Sequence, residues 1–294
     1  KHFEISTEGI DEGDFTMVLG YPGTTRQYIP SYAVELKKNH VNPLRIKLRE
    51  TRLDVMNKYM EKDKAVRIQY ASKYAGISNG WKKWIGEIQG LERFNTIENK
   101  QKLEKEFEKW AEKHQKYQGI VDDYEKLYTN LTPLQEGFYY AIESAMAIEL
   151  VDYAGSFSRL VDDAKEEQDS AAVQNSIDRL MKGLEGHFKD YHMPIDQKIT
   201  GRVLKIYYDG VPEQFRPAIL KAIHDKHQGD FDAYANNLFE SSIFANQERV
   251  EKLLANFTME DFKKIEADPA YQLHEQVANF YRENIQPEYA AISD

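Results

Sequence analysis

The sequence contains no cysteine. That excludes disulfides, thiolate metal centres and a cysteine nucleophile within it. It also lacks any apolar run of the ~20 residues that a membrane-spanning helix needs. The nearest candidate, Gly137–Leu150, carries Glu143 and Glu149. Positive charge is in deficit: 39 basic against 49 acidic residues leave a net charge of -10. A general nucleic-acid binder would show a basic face instead, so no nucleic-acid partner is expected, although a local basic patch stays open. Several chemical signatures are missing as well. There is no P-loop, no Gly-x-Ser-Gly loop and no His-Glu-x-x-His. No histidine follows a glutamate by three positions, which removes the di-iron signature of ferritin-like bundles.

What remains is a soluble, helix-rich composition preceded by an unmatched β fragment. Asp14–Gly20 (DFTMVLG) has the pattern of one buried strand: polar residues, a continuous apolar run, then the turn Gly20-Tyr21-Pro22-Gly23. Phe3–Ser6 could add a second strand. Two strands cannot close a sheet, and isolated ribbons are marginal in water. The sheet they belong to is therefore expected elsewhere, in a larger protein. Lys1 is not a natural start, which fits the same expectation.

From Tyr28 onward the pattern is helical. Asn42-Pro43 reads as a helix start, with Asn42 as N-cap, and the helix should run to about Met60. Tyr70, Tyr74, Ile77, Trp81, Trp84, Ile88 and Leu91 alternate four and three residues apart. Leu103, Phe107, Trp110, His114 and Tyr117 repeat that spacing. The two seams predict an antiparallel hairpin, with Lys102–Glu106 and Glu112–Lys116 on a solvated face. Thr132-Pro133 predicts another helix start, continuing to about Asp163. Further helices are expected at Asp169–Tyr191, Pro194–Tyr208, Pro212–His227, Asp230–Leu238, Gln247–Asn256, Met259–Ala267 and Pro269–Asn284.

Side chains that could carry chemistry have plainer readings beside them. His224 and His227 share a helix face, but metal binding needs a further ligand, and two surface histidines near a helix C-terminus is the simpler account. His187 and His192 are five apart and do not share a face. Glu143, Glu149 and Asp152 could be paired acids, or the polar side of an amphipathic helix. No metal or cofactor site follows from these residues. One constellation stands out: Ser72, Gly76, Asn79 and Lys83 lie on one helix face, and Gly76 with Gly80 costs about 2 kcal/mol of helix propensity. Small residues there permit close approach by a neighbour or a ligand backbone. Asn79 then offers either an interhelical hydrogen bond or an amide oxygen for an ammonium.

Three segments in order, Gly13–Thr25 (GDFTMVLGYPGTT), Asn42–Ile46 (NPLRI) and Tyr70–Asn79 (YASKYAGISN) followed by Trp81-Lys82, resemble serine peptidase family 46, the group of the bacterial dipeptidyl-peptidases 7 and 11. The resemblance runs through most of the chain and is strongest over about the first hundred residues. It implies a chymotrypsin-like double β-barrel with a Ser-His-Asp triad, capped by an inserted helical domain. The expected fold class is thus mainly α: a multi-helix domain with a short N-terminal β segment left over from the barrel. Residues 1–27 would be the end of a barrel segment with its linker, and residues 28–294 the helical cap. The catalytic His and Asp would precede Lys1 and the Ser would follow Asp294, so no catalytic residue is assigned within the chain.

In this family an asparagine of the helical domain helps bind the peptide's free α-amino group, and Asn79 is the matching position. The implied function is a substrate-gating domain of an exopeptidase that releases dipeptides from polypeptide N-termini, with the isolated chain inactive. The implied partners are the peptide substrate and the barrel domain of the same polypeptide. A homodimer of the parent is left open, and a periplasmic or secreted location is expected. The alternative is a non-catalytic helical scaffold or partner-binding module. A helical metalloenzyme is a third and weaker reading.

Overall fold

The computed structural model describes residues 5–17, 19–20, 23, 25–165 and 170–293. Among them every regular element is helical and no strand forms.

The described residues of the expected Asp14–Gly20 strand do not form one. Among its described residues, Phe15 is 89% exposed and Leu19 85%, and neither is extended into a ladder. The segment opens instead on a local turn: Asp14 N donates to the Asp11 carbonyl, and Asp11 N donates to Asp14 Oδ2 at 2.8 Å. A strand needs a neighbour to pair its backbone groups, and none of the described segments offers one. Val18, Tyr21, Pro22 and Thr24 lie outside the described residues, as do Phe3 and Glu4 of the second proposed strand.

The helical part begins with α1 (Ser31–Glu35), a π-helical segment (Leu36–Val41) and α2 (Asn42–Met60). They run continuously, so Asn42 is not an N-cap. Its backbone is already helical, at φ -66° and ψ -43°. Pro43 lacks the N–H that would bond to the preceding turn, and the wider π turn immediately before it absorbs that lost bond within the helix. Freed from capping, the Asn42 amide donates to Glu87 Oε2 at 3.0 Å. The next helices are α3 (Lys64–Arg93), capped by Asp63 on Ala65 N and Val66 N, and α4 (Thr96–Ala111). Asn95, in the left-handed region at φ 45°, turns the chain between them.

The seam of α3 faces α2 more than α4. Tyr70 is fully buried and Trp84 nearly so, whereas Leu103 on α4 is 64% exposed and Trp110 47%. The predicted seam-to-seam hairpin is therefore corrected. Helix α4 runs on from α3 but packs chiefly beside α1, and α1 is too short to cover its whole apolar stripe. The charged side of α4 is not wholly solvated either. Glu104 accepts from Ser31 N and Ser31 Oγ, both at 2.6 Å, and so satisfies the first free donors of α1.

Helix α5 (Ile120–Glu143) starts twelve residues before the predicted start and carries Pro133 in its interior. It ends at Ser144, where φ -115° and ψ -89° break the helical path. A 3₁₀ turn, Ala145–Ala147, leads to α6 (Glu149–Gly155), and α7 (Ser158–Lys165) follows. The single helix expected to run to Asp163 is thus three pieces. The rest comprises α8 (Ser170–Lys189), α9 (Met193–Gly210), α10 (Ala218–Lys226), α11 (Phe231–Ser241), α12 (Gln247–Ala255), α13 (Phe262–Ala267), α14 (Pro269–Asn284) and α15 (Gln286–Ser293). The Pro212–His227 helix splits into a 3₁₀ turn at Glu213–Phe215 and α10, because Pro217 interrupts it. Helix α2 packs along α3 and against α5 and α9; α9 packs on α11, and α6 on α14. One core runs through them, holding Leu48, Tyr70, Leu134, Phe157, Tyr207 and Phe244.

Candidate functional site

The face of α3 that carries Asn79 is open. Ser72, Gly76, Asn79 and Lys83 are all exposed, and among the described residues the Asn79 side chain has no hydrogen-bond partner. An added Cβ at Gly76 would meet nothing within 4 Å. Close helix packing therefore explains neither residue, and the interhelical role for Asn79 does not materialise. At Gly80 the close approach is real. A Cβ there would lie 2.5 Å from Arg49 Nη1 and 3.2 Å from Trp84.

Arg49 supports the Asn79 turn from beneath. Its Nη1 donates to the Ile77 carbonyl at 3.3 Å, and its Nε and Nη2 donate to the Glu143 carboxylate at 2.9 and 3.0 Å. Arg45 Nε reaches the same carboxylate at 2.9 Å, and Arg52 Nη1 lies 4.0 Å from it. Glu143 is only 2% exposed. The guanidinium of Arg45 stacks over Trp84 at 3.7 Å and over Tyr139 at 4.4 Å, while that of Arg49 lies 4.4 Å from Trp84. The three arginines recur on α2 at Arg45, Arg49 and Arg52, spacing that aims them at one point. That point is the buried end of α5. Burial lowers the pKa of Arg52, although the Glu143 charge acts against it.

A second polar cluster continues this layer. Tyr70 Oη donates to Glu149 Oε1 at 2.9 Å and accepts from His192 N at 3.0 Å. Lys73 Nζ pairs with Glu149 and also donates to the Asp190 carbonyl. Asp196, fully enclosed, accepts from Glu149 N and Leu150 N at 2.9 and 2.8 Å and so caps α6. Burial, reinforced by the nearby Glu149 charge, pushes the Asp196 carboxyl above the usual carboxylate range.

The acids expected on a polar helix side are therefore placed otherwise. Glu143 and Glu149 face inward, each held by cations, in separate clusters; only Asp152 is exposed. Neither inward carboxylate is free to act as an acid or base. His224 stacks on Tyr208 at 4.2 Å, and His227 meets Tyr234 edge-on. Among the described residues no cluster of histidines and carboxylates could hold a metal. His187 stacks on Tyr153 at 3.8 Å, and burial, with the Lys73 charge, pushes its pKa down to about 4. Sequence reasoning missed the arginine cluster. Its signal was present as Arg45, Arg49 and Arg52 on one helix, but the partner is 91 residues beyond Arg52.

The comparisons with known proteins agree with one another. The Peptidase S46 family model matches residues 1–293. An Asp/Glu-specific dipeptidyl-peptidase of Flavobacterium psychrophilum is 36% identical across 100% of this chain, which spans 41% of that protein's length. A dipeptidyl-peptidase 7 of Phocaeicola vulgatus is 33% identical over 92% of this chain and 37% of its own. The crystal structure of Porphyromonas endodontalis DPP11 in complex with the dipeptide Arg-Glu superimposes with a TM-score of 0.76 at 26% identity, covering 93% of this chain and 39% of that one. The chain thus spans about two fifths of the length of the relatives it matches. With the family model matched nearly end to end and relatives above 30% identity across the whole span, the chain belongs to the peptidase S46 family.

Proposed function

We propose that this chain is the helical cap of a serine-type dipeptidyl-peptidase, and that Asn79 binds the α-ammonium of the peptide substrate. The triad would lie in a β-barrel domain of the same polypeptide, outside the 294 residues. Residues 28–294 would form the cap and residues 1–27 the end of the barrel segment. The partly exposed apolar stripe of α4 offers a surface for such a domain. Export to the periplasm or beyond the cell goes with the same reading.

The observation that carries the proposal is the state of Asn79: exposed, without a hydrogen-bond partner among the described residues, and set on a turn that Arg49 and Glu143 hold from below. A polar side chain on a rigid helix loses little freedom when it accepts a ligand's hydrogen bond. An anchor for the amine fixes which peptide bond reaches the nucleophile, and positioning of that kind makes the enzyme exo-acting. The relatives' names, and the dipeptide bound in the solved relative, support the substrate class.

The test is Asn79→Ala in the full-length protein. A hydrogen bond to a charged group contributes roughly 1.5–3 kcal/mol, so kcat/KM should fall about ten- to a hundredfold. The loss should shrink for an N-acetylated substrate, which has no ammonium. Unchanged kcat/KM would remove Asn79 from the substrate site and leave the cap as steric closure alone.

A further inference from the structure

The chain enters the helical domain through a stretch with little backbone support of its own. Among the described residues, 15–29 make no hydrogen bond between main-chain groups. Helix α4 supplies what is missing. Lys100 Nζ donates to the carbonyls of Gln27 and Ile29 at 2.9 and 2.6 Å. Glu104, one turn further along the same helix, accepts from Ser31 N and Ser31 Oγ, both at 2.6 Å. Pro30, at the N-cap of α1, makes no side-chain cap bond, so Glu104 caps α1 from outside. Two side chains of one helix thus make four hydrogen bonds to the five residues Gln27–Ser31. Each bond has a charged partner, which makes it stronger than a bond between neutral groups.

The stretch held by this clasp also reaches α3, because Thr25, Arg26 and Ile29 share one groove with Lys83 and Glu87. Lys83 lies four residues beyond Asn79 on the same open face of α3, a rise of about 6 Å. The incoming chain is therefore pinned close to the candidate amine anchor. We infer that Lys100 and Glu104 are positioning residues: they hold the incoming chain in register with Asn79 and so set the length of the peptide released. The inference rests on the reading that residues 1–27 lead from the nucleophile's domain and that Asn79 binds the substrate ammonium. On that reading the gap between anchor and nucleophile decides which peptide bond is cut. A misplacement of about 1 Å costs about a hundredfold in rate, and successive residues of an extended peptide lie about 3.3 Å apart. Five unclasped residues span up to about 17 Å. The slack released by opening the clasp thus exceeds the one-residue step between a dipeptide and a tripeptide.

The experiment uses the full-length protein and two free-amine hexapeptides of a single repeated residue, hexaglutamate and hexamethionine. Within each peptide the side chains are the same at every bond, so the first products report position alone. Mass spectrometry at low conversion gives the ratio of dipeptide to mono- and tripeptide. In the wild type the dipeptide should dominate for at least one of the two peptides. The double variant Lys100→Met with Glu104→Ala should lower that ratio about tenfold, and kcat/KM by at least as much. Lys100→Arg, which keeps the donors, should retain the wild-type ratio. Partial unfolding lowers all products in proportion and leaves the ratio unchanged, so the ratio separates positioning from stability. A double variant that still releases dipeptides at the wild-type ratio overturns the inference, whatever its rate. Should Asn79→Ala still lower kcat/KM in that case, the clasp alone is wrong and the amine site stands. A wild type that releases no dipeptides from either peptide overturns the dipeptidyl reading, and the role of the clasp falls with it.

Discussion

Replacing Glu143 by glutamine should destabilise the helical domain far more than a surface acid would. The carboxylate is 2% exposed and accepts three N–H bonds at 2.9–3.0 Å from Arg45 and Arg49, with Arg52 at 4.0 Å. Glutamine keeps the volume and one acceptor oxygen, but its NH₂ would face a guanidinium donor. Three arginines would then share a largely buried space with no counter-charge. Breaking a buried ion pair by removing one partner costs about 3–5 kcal/mol. The arginine side chains are 13–20% exposed, so water offsets part of the cost and the lower end, about 3 kcal/mol, is expected. For a domain of this size that corresponds to a Tm lower by about 6–12 °C. Thermal unfolding followed at 222 nm measures it directly. A variant melting within about 2 °C of wild type would show that the cluster is solvated and does not hold α5 against α2. The Asn79-dependent part of kcat/KM should fall in the same variant, because Arg49 would no longer be fixed under Ile77.

Two glycines one turn apart should respond in opposite directions. Gly80→Ala forces a Cβ against Arg49 Nη1 and Trp84 and should cost about 1–3 kcal/mol, whereas Gly76→Ala meets nothing and should stabilise α3 by up to about 1 kcal/mol; urea midpoints of the two variants decide. His187, held neutral by burial with its pKa near 4, contributes stability that is complete above its unfolded value of about 6.5 and is lost as pH falls toward 4. His187→Phe should therefore flatten the acid side of the Tm–pH curve between about 6.5 and 4, and an unaltered slope would assign that acid sensitivity to other groups.

The helical character and most helix positions were legible because apolar spacing and the punctuation at Gly210, Gly229 and Asp268-Pro269 are local signals. Asp268 illustrates this: it caps α14 through Ala270 N and Tyr271 N, at the predicted boundary. Proline misled twice for one reason. Pro43 and Pro133 read as helix starts, yet both lie within helical stretches whose tertiary packing outweighs the lost N–H bond. The strand at Asp14–Gly20 could not be judged locally, since its apolar pattern has meaning only beside a partner that the described chain lacks. The α4 seam was real as a pattern and wrong as a core. Its spacing marks one apolar face, but spacing does not say what covers it.

The candidate site shows a sharper limit. Asn79 was singled out because glycines broke the helix rules around it, and the structure explains only one of them: Gly80 makes room for Arg49. That contact is the link between the two levels of the site. The exposed amide is a short-range feature of α3, visible in the sequence. The backbone turn beneath it is held from Glu143, 64 residues further on, through a guanidinium that bonds both the carboxylate and the Ile77 carbonyl. A lone asparagine on a solvated helix would be an indifferent ligand, because helix flexing would spread its amide over many positions. On the proposed reading, bracing of this turn by a buried ion cluster would limit that flexing before a substrate arrives, and would let a single hydrogen bond discriminate between a free and a blocked N-terminus.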